Sequence, residues 1–115
     1  MRYAYLIWPD PWMTVNGDTF VSAMLALPGG VNVFASLPDR YPAIAPAMLR
    51  EADPDLVLLA SEPFPFKPRH ADDLASLTGL PRDRFIFVDG ELLSWHGSRT
   101  PRGIVYAGKV VRGER

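Results

Sequence analysis

The sequence predicts an α/β fold, a three-layer Rossmann-like lobe with the element order βαβαβαβα and a four-stranded parallel sheet. Two observations support this. Four short apolar runs have the composition of strands, and each is followed by a loop-like stretch and then by a helix-like segment. Strands separated by helices of this length imply right-handed crossovers and parallel pairing. The expected strand order is 2-1-3-4, in a single domain that covers residues 1–115.

The four expected strands are rich in β-branched, aliphatic and aromatic residues, as strands usually are. They cover residues 3–8, 31–34, 56–60 and 84–88. The first is almost continuously apolar, which is typical of a strand that is buried on both faces of a sheet. Pro9 and Pro11 follow it at once, and we expect them to end the strand because proline donates no hydrogen bond to a sheet.

The four expected helices each begin at a capping residue or at a proline, which are the residues favoured at a helix start. Their expected ranges are 19–27 with Asp18 as N-cap, 46 to about 52, 68 to a stop at Gly79, and from Thr100-Pro101 onward.

Composition excludes several classes of function. The 115 residues carry 12 basic and 13 acidic side chains, with no basic stripe of the kind that binds nucleic acid or an anionic membrane. The absence of cysteine removes disulfides, thiol nucleophiles and thiolate metal sites. The six-residue apolar run near the N-terminus is too short for a signal peptide or a membrane span. We therefore expect a cytoplasmic protein with no membrane span, or a periplasmic one if the chain belongs to a longer precursor.

A stretch rich in aromatic residues and proline follows each expected strand. The stretches are WPDPWMTVNG from Trp8, SLPDRYP from Ser36, SEPFPFKPRH from Ser61 and DGELLSWHGSRTP from Asp89. If the strands are parallel, all four stretches gather at one edge of the sheet, where open α/β folds bind their ligands. Loops that a rigid scaffold positions often carry function. The layout therefore predicts a recognition surface.

The aromatic residues of these stretches are the first candidates for that surface. Phe64 and Phe66 lie in a loop that prolines stiffen, which suits a ligand wall, although both rings could instead pack onto neighbouring helices. Trp12 is expected on the ligand side, and Trp8 in the core. Trp95 is either a plug on the core or a stacking platform.

Polar residues of the same stretches are the second group of candidates. Arg99 could meet an anionic ligand, but we favour an internal ion pair with Glu62 or Asp89. Asp89 follows a strand directly, and such residues more often accept hydrogen bonds from amides of their own loop than carry out chemistry. His70 lies in the first turn of a helix, where a structural hydrogen bond is the favoured role.

Motifs of catalysis are missing from the sequence. It contains no G-x-S-x-G element and no glycine-rich phosphate loop after the first strand. The spacing of its histidines and acids matches no metal-ligand pattern. Two alternatives to a binding protein stay open: a small α/β enzyme that uses Asp89, His70 or Glu62, and a protein-interaction module.

From Pro28 to the last helix the chain resembles the C-terminal lobe of the class III periplasmic-binding proteins, the helical-backbone receptors for cobalamin, ferric siderophores, haem and some metal ions. The resemblance rests on GGVNVF at 29–34, RYPAI at 40–44 and ADPDLVLLAS at 52–61. SEPFPFKPRH and VDGELLSWHGSR resemble a soluble, cobalamin-binding-like subgroup of these proteins.

The resemblance implies a noncatalytic ligand-binding lobe of an ABC-transporter substrate-binding protein, without a cofactor of its own. The ligand would be a cobalamin or other corrinoid, a haem, an iron-siderophore or another metal chelate. Family members hold it between two lobes, against aromatic edges that correspond by position to Trp12, Tyr41, Phe64, Phe66 and Trp95.

Two departures from the family pattern bear on partners. Only one lobe is recognisable, so we expect a missing N-terminal lobe or a homodimer to complete the site. The glutamate with which family members dock onto a permease corresponds by alignment to Ala47, and Glu51 lies one turn away. This argues against docking onto an ABC permease.

Overall fold

The computed structural model describes residues 1–94 and 99–113. Within these ranges the chain forms five strands, four α-helices and one 3₁₀ turn at Arg82–Arg84. The strands are β1 (Arg2–Pro9), β2 (Trp12–Thr14), β3 (Val31–Asn32), β4 (Leu56–Ala60) and β5 (Phe85–Val88). The helices are α1 (Phe20–Ala26), α2 (Pro46–Ala52), α3 (Pro68–Thr78) and α4 (Pro101–Val111).

The sheet is built around β1. One edge of β1 pairs in parallel with β4, which in turn pairs in parallel with β5. The other edge is shared: the start of β1 pairs in parallel with β3, and its end pairs antiparallel with β2. The α/β fold is confirmed, and the four strands expected from the sequence are parallel and adjacent in the order β3-β1-β4-β5.

The expected four-stranded, entirely parallel sheet is wrong, because β2 adds a fifth, antiparallel strand at the edge. β1 does end at the prolines, with Pro9 as its last residue, one position beyond the expected range. They lie where the chain turns back on itself, so that Pro9 faces Trp12 and Leu6 faces Thr14 across a hairpin. The hydroxyl of Thr14 donates a 2.6 Å hydrogen bond to the carbonyl of Tyr5, which ties the returning strand to β1. Proline is tolerated at such a sheet edge because the missing N–H breaks no central ladder.

Helices cover both faces of the sheet, so the lobe has three layers. Tyr3 and Tyr5 of β1 point into the core under α1 and α4, together with Leu58 of β4. The intervening residues of both strands, such as Leu6 and Leu59, point into the core under α2 and α3. This alternation explains why the strands are apolar at nearly every position.

Helix α1 begins one residue later than the sequence suggested. Thr19, not Asp18, is the N-cap, and its hydroxyl accepts a hydrogen bond from the Ser22 amide at 3.2 Å. Asp18 instead pairs with the Arg40 guanidinium at 3.2 Å. Both residues can cap a helix, so sequence alone could not choose between them.

The GGVNVF segment contains β3 and is held in place by close packing and by side-chain hydrogen bonds. A Cβ atom on Gly30 would lie 2.6 Å from the Leu25 carbonyl oxygen, so only glycine fits there without a shift of the backbone. The buried Asn32 side chain donates to the Val15 carbonyl at 3.0 Å and accepts from the Phe34 amide at 2.9 Å. These bonds hold the segment after β2 against the segment after β3.

Candidate ligand-binding cleft

A cleft of about 720 Å³ opens at the carboxyl edge of the sheet. Each of the four stretches that follow the expected strands contributes to its lining, through Val15, Tyr41, Glu62 and Gly90 respectively. The lining residues are Tyr5, Ile7, Val15, Val21, Tyr41, Glu62, Pro63, Gly90 and Ser94. Its volume lies within the range usual for small-molecule sites. The edge at which the sequence places these stretches therefore contains a concavity, and its role in recognition stays a prediction.

The cleft lies on the α1–α4 side of this edge. Tyr5 and Ile7 line it, whereas Leu6 of the same strand belongs to the core on the α2–α3 side. Val15, which follows β2, and Val21 of α1 complete an apolar floor. Alternation along β1 thus decides which side chains can meet a ligand.

The loops after β4 and β5 are joined to each other at the cleft. The Ser61 amide donates to the Val88 carbonyl at 3.0 Å, and the Gly90 amide donates to the Ser61 hydroxyl oxygen at 3.0 Å. A Cβ atom on Gly90 would lie 3.1 Å from both Cγ and the carbonyl oxygen of Glu62. The absence of a side chain at Gly90 therefore lets Glu62 lie close against it at the mouth of the cleft.

Tyr41 reaches the cleft because the RYPAI segment is bonded to β2. The Thr14 amide donates to the Pro42 carbonyl at 3.0 Å, and the Ile44 amide donates to the Trp12 carbonyl at 2.8 Å. The Tyr41 side chain stays 53% exposed beside the cleft. A ligand could therefore cover a large part of its ring.

Asp89 is occupied by its own loop. Its Oδ1 accepts hydrogen bonds from the amides of Glu91 at 3.0 Å and Leu92 at 3.1 Å, and its amide donates to the Tyr106 hydroxyl oxygen at 2.8 Å. This is the local role favoured from the sequence. A contact between Asp89 and a ligand stays a prediction.

Two phenols near the cleft are held in the neutral form. Burial raises the pKa of Tyr5 well above its ordinary value, and the negative charges of Glu62 and Asp89 add to the effect. Burial also raises the pKa of Tyr106. The floor of the cleft therefore presents an un-ionised tyrosine close to two carboxylates.

The predicted phenylalanine wall lies on the other side of the sheet edge. Phe64 makes edge-to-face contacts with Trp8, Phe66 and His70, with ring centroids 5.4, 5.2 and 5.0 Å apart. Phe66 is only 7% exposed and belongs to the core on the α2–α3 side. Both rings thus take the packing role that was the alternative to a ligand wall. Their contact with a ligand stays a prediction.

His70 takes part in the same aromatic cluster. It is 9% exposed, and its Nδ1 accepts a 2.9 Å hydrogen bond from the Lys67 amide at the start of α3. The structural hydrogen bond favoured from the sequence is therefore present.

The tryptophans differ from expectation. Trp8 was expected in the core but is 41% exposed, near the end of β1, with its ring in a T-shaped contact with Phe64. Trp12 was expected on the ligand side, but it is half-buried against the core on the α2–α3 side. Trp95 lies outside the described residues. Arg99 is exposed, shortly before α4.

Of the candidate residues that the structure describes, Tyr41 and Glu62 line the cleft. Sequence reasoning missed the floor, above all Tyr5 and Ile7. The sequence does show that these two residues share one face of the first strand, since they occupy alternate positions. It does not show on which face of the sheet the cleft opens.

The described part of the chain offers no preformed metal site, since no group of three or more His, Cys, Asp or Glu side chains is placed to hold an ion. None of the helices within residues 1–94 and 99–113 is long and apolar enough to cross a membrane.

No protein-family model matches this sequence, and no curated protein matches it. Solved structures do match its fold. An ABC-transporter substrate-binding protein from Listeria monocytogenes EGD-e superimposes with a TM-score of 0.76 at 18% identity, over 98% of this chain and 48% of that one. The periplasmic vitamin B12-binding protein BtuF of Vibrio cholerae matches with a TM-score of 0.71 at 21% identity, over 97% and 43%. The periplasmic haem-binding protein RhuT from Roseiflexus sp. RS-1 matches with a TM-score of 0.74 at 20% identity, over 96% of this chain and 44% of that one.

The chain has the fold of one lobe of the class III periplasmic-binding proteins. This lobe spans less than half the length of the proteins it matches. At 18–21% identity the likeness is one of fold.

Proposed function

We propose that this chain is a noncatalytic ligand-binding lobe of an ABC-transporter-type substrate-binding protein, equivalent to the C-terminal lobe of the class III proteins. Its ligand would be a large planar or chelated molecule such as a cobalamin, a haem or an iron-siderophore. The observation that carries the proposal is the 720 Å³ cleft, which all four loop stretches line, in a chain whose fold matches the B12-binding and haem-binding proteins almost throughout.

The arrangement of ionisable groups favours binding over catalysis. The enzyme alternative uses Asp89, His70 or Glu62 as its reacting groups. The His70 ring packs in the aromatic cluster on the α2–α3 side, with Nδ1 already bonded to the Lys67 amide, whereas Glu62 lines the cleft on the α1–α4 side. Asp89 caps its own turn. The three groups are thus not assembled around one reacting centre.

The open form of the cleft implies a partner. Small-molecule sites usually bury most of the surface of their ligand, and a single open edge covers one side of a planar molecule. The second wall would come from an N-terminal lobe, as in the longer proteins of this fold, or from a second copy of this chain.

The chain is expected to self-associate at micromolar concentration, and more strongly with ligand bound, because a second copy would cover the exposed Tyr41 and the open cleft. Sedimentation velocity across a concentration series, with and without ligand, measures this. A monomer under every condition would contradict the homodimer and leave a separate N-terminal lobe as the partner.

Docking onto an ABC permease is not part of the proposal. Ala47, at the position of the docking glutamate, is exposed in the first turn of α2, so this turn offers a methyl group in place of a carboxylate. Glu51 is exposed on the same helix. The cytoplasmic location expected from the sequence, with the periplasm as the alternative, stays a prediction that cell fractionation tests.

The direct test is ligand binding. Cyanocobalamin, hemin and a ferric hydroxamate should each be titrated while tryptophan fluorescence is recorded, with equilibrium dialysis as a second readout. We expect saturable binding of at least one of them with Kd of about 10 µM or weaker, near −7 kcal/mol, because one lobe supplies part of the contact area.

Tyr41→Ala should weaken that binding by roughly 1–3 kcal/mol, the usual cost of truncating an aromatic anchor. Leu77→Ala is the matched control, since Leu77 is comparably exposed, at 58%, but lies on α3. Trp95→Ala is predicted from the sequence to act like Tyr41→Ala. If none of the ligands binds although circular dichroism shows a folded protein, the proposed function is wrong.

A further inference from the structure

The described part of the cleft lining is acidic. Among the described residues that line it, Glu62 is the only one with a charged side chain at neutral pH, and no lysine, arginine or histidine is among them. The rest of the lining is aliphatic, aromatic or small. The electrostatic character of the lining therefore comes from a carboxylate.

A second carboxylate reinforces the first. Asp89 precedes Gly90, a residue of the cleft lining. Burial raises the pKa of the Tyr5 phenol at the floor of the cleft, and the negative charges of Glu62 and Asp89 add to that effect. The joined loops after β4 and β5 hold the two acids near each other, through the bond from the Gly90 amide to Ser61 and the close contact of Gly90 with Glu62. Arg40, next to Tyr41 in the sequence, pairs with Asp18, and that pairing offsets its charge.

We propose that the cleft selects ligands that present hydrogen-bond donors or positive charge and rejects ligands that present carboxylates, and that Glu62 is the residue that determines this preference. The proposal rests on the proposed function, and it narrows the ligand class: amide-bearing or cationic chelates are favoured over dicarboxylate porphyrins.

The physical reason is desolvation. Glu62 is exposed in the free protein, and a ligand that fills the cleft removes water from its carboxylate. A ligand amide or ammonium group replaces the lost hydrogen bonds and gains a charge-assisted one. A ligand carboxylate leaves the charge of Glu62 uncompensated and adds repulsion from a second negative charge.

The test uses ligand pairs that differ only in these groups. The probes are hemin with its bis-amide, in which both propionates are amidated, and cyanocobalamin with a derivative in which one peripheral amide is hydrolysed to the acid. On at least one scaffold, the amide form should bind roughly tenfold or more tighter than the acid form at low salt. The ratio should shrink as the salt concentration rises, because charge repulsion is screened.

In Glu62→Gln the affinities of the amide and acid forms should differ by no more than about threefold, chiefly because the acid form binds more tightly. Glu51→Gln is the matched control, since Glu51 is an exposed acid on α2, and should leave the ratio unchanged. Circular dichroism verifies that each variant is folded.

The outcomes separate this inference from the proposed function. If the acid forms bind as tightly as the amide forms, or if Glu62→Gln leaves the ratio as it was, the inference is wrong while the proposed function stands. If neither scaffold binds in any form, both are overturned.

Discussion

Phe66→Ala is expected to lower the free energy of unfolding by about 3–5 kcal/mol, the usual cost of removing a buried aromatic ring. Phe66 is 7% exposed in the core under α2 and α3, and its ring contacts those of Phe64 and His70 at centroid distances of 5.2 and 5.6 Å. Its loss would leave a cavity at the start of α3. Urea denaturation followed by far-ultraviolet circular dichroism measures the change.

Trp8→Ala is the comparison. The sequence predicted Trp8 in the core, but its 41% exposure predicts a smaller loss of about 1–2 kcal/mol. A loss for Trp8→Ala as large as that for Phe66→Ala would show that the two rings have been assigned to the wrong environments.

Gly30→Ala should destabilise the protein by about 3 kcal/mol, near the upper end of the usual range for overpacking. The added Cβ would lie 2.6 Å from the Leu25 carbonyl oxygen, 3.1 Å from Val111 Cγ2 and 3.2 Å from Tyr3 Cε1. The nearest of these atoms belongs to the backbone, so no change of rotamer relieves the contact. Because α1, β1 and α4 meet at this point, we expect the melting temperature to fall as well.

Gly79→Ala provides the control for backbone conformation alone. Gly79 has a φ of +75°, and a Cβ atom there would meet nothing within 4 Å. The cost should be about 1–2 kcal/mol, the penalty of a left-handed conformation for an L-residue. If Gly79→Ala costs more than Gly30→Ala, close packing is not the reason for glycine at position 30. Both variants can be compared by differential scanning calorimetry under one set of conditions.

Gly30 belongs to a segment on which the family resemblance rests. The GGVNVF segment carries part of the family resemblance, and the structure gives it a packing role: Gly30 allows close approach, while Asn32 bonds to Val15 and Phe34. Gly30, Asn32 and Phe34 are not among the described residues that line the cleft. The segment therefore identifies the lobe fold and says little about what is bound.

Local pattern was sufficient for the helices and for most of the strands. Strand β4 and helix α2 have the bounds expected from the sequence, at Leu56–Ala60 and Pro46–Ala52. Both are specified by residues within a few positions: an uninterrupted apolar run for the strand, and a proline in the first turn of the helix. The parallel neighbours of β1 followed from the crossover rule, and the position of the four loop stretches at one edge followed from parallel pairing.

The order of apolar runs, loops and helices along the chain is enough to predict an α/β lobe whose loops meet at one edge. The side of that edge on which the cleft opens depends on how the strands pack in the folded protein. In a strand, neighbouring side chains point to opposite faces, so Tyr5 and Ile7 meet the cleft while Leu6 enters the opposite core. The hairpin of β2 could not be predicted from the sequence either, because a three-residue strand is too short to show a hydrophobic periodicity. Its pairing depends on the edge of β1 and on residues 42–44, which are distant in the sequence. Burial and pairing with distant segments set both features, and no local pattern records them.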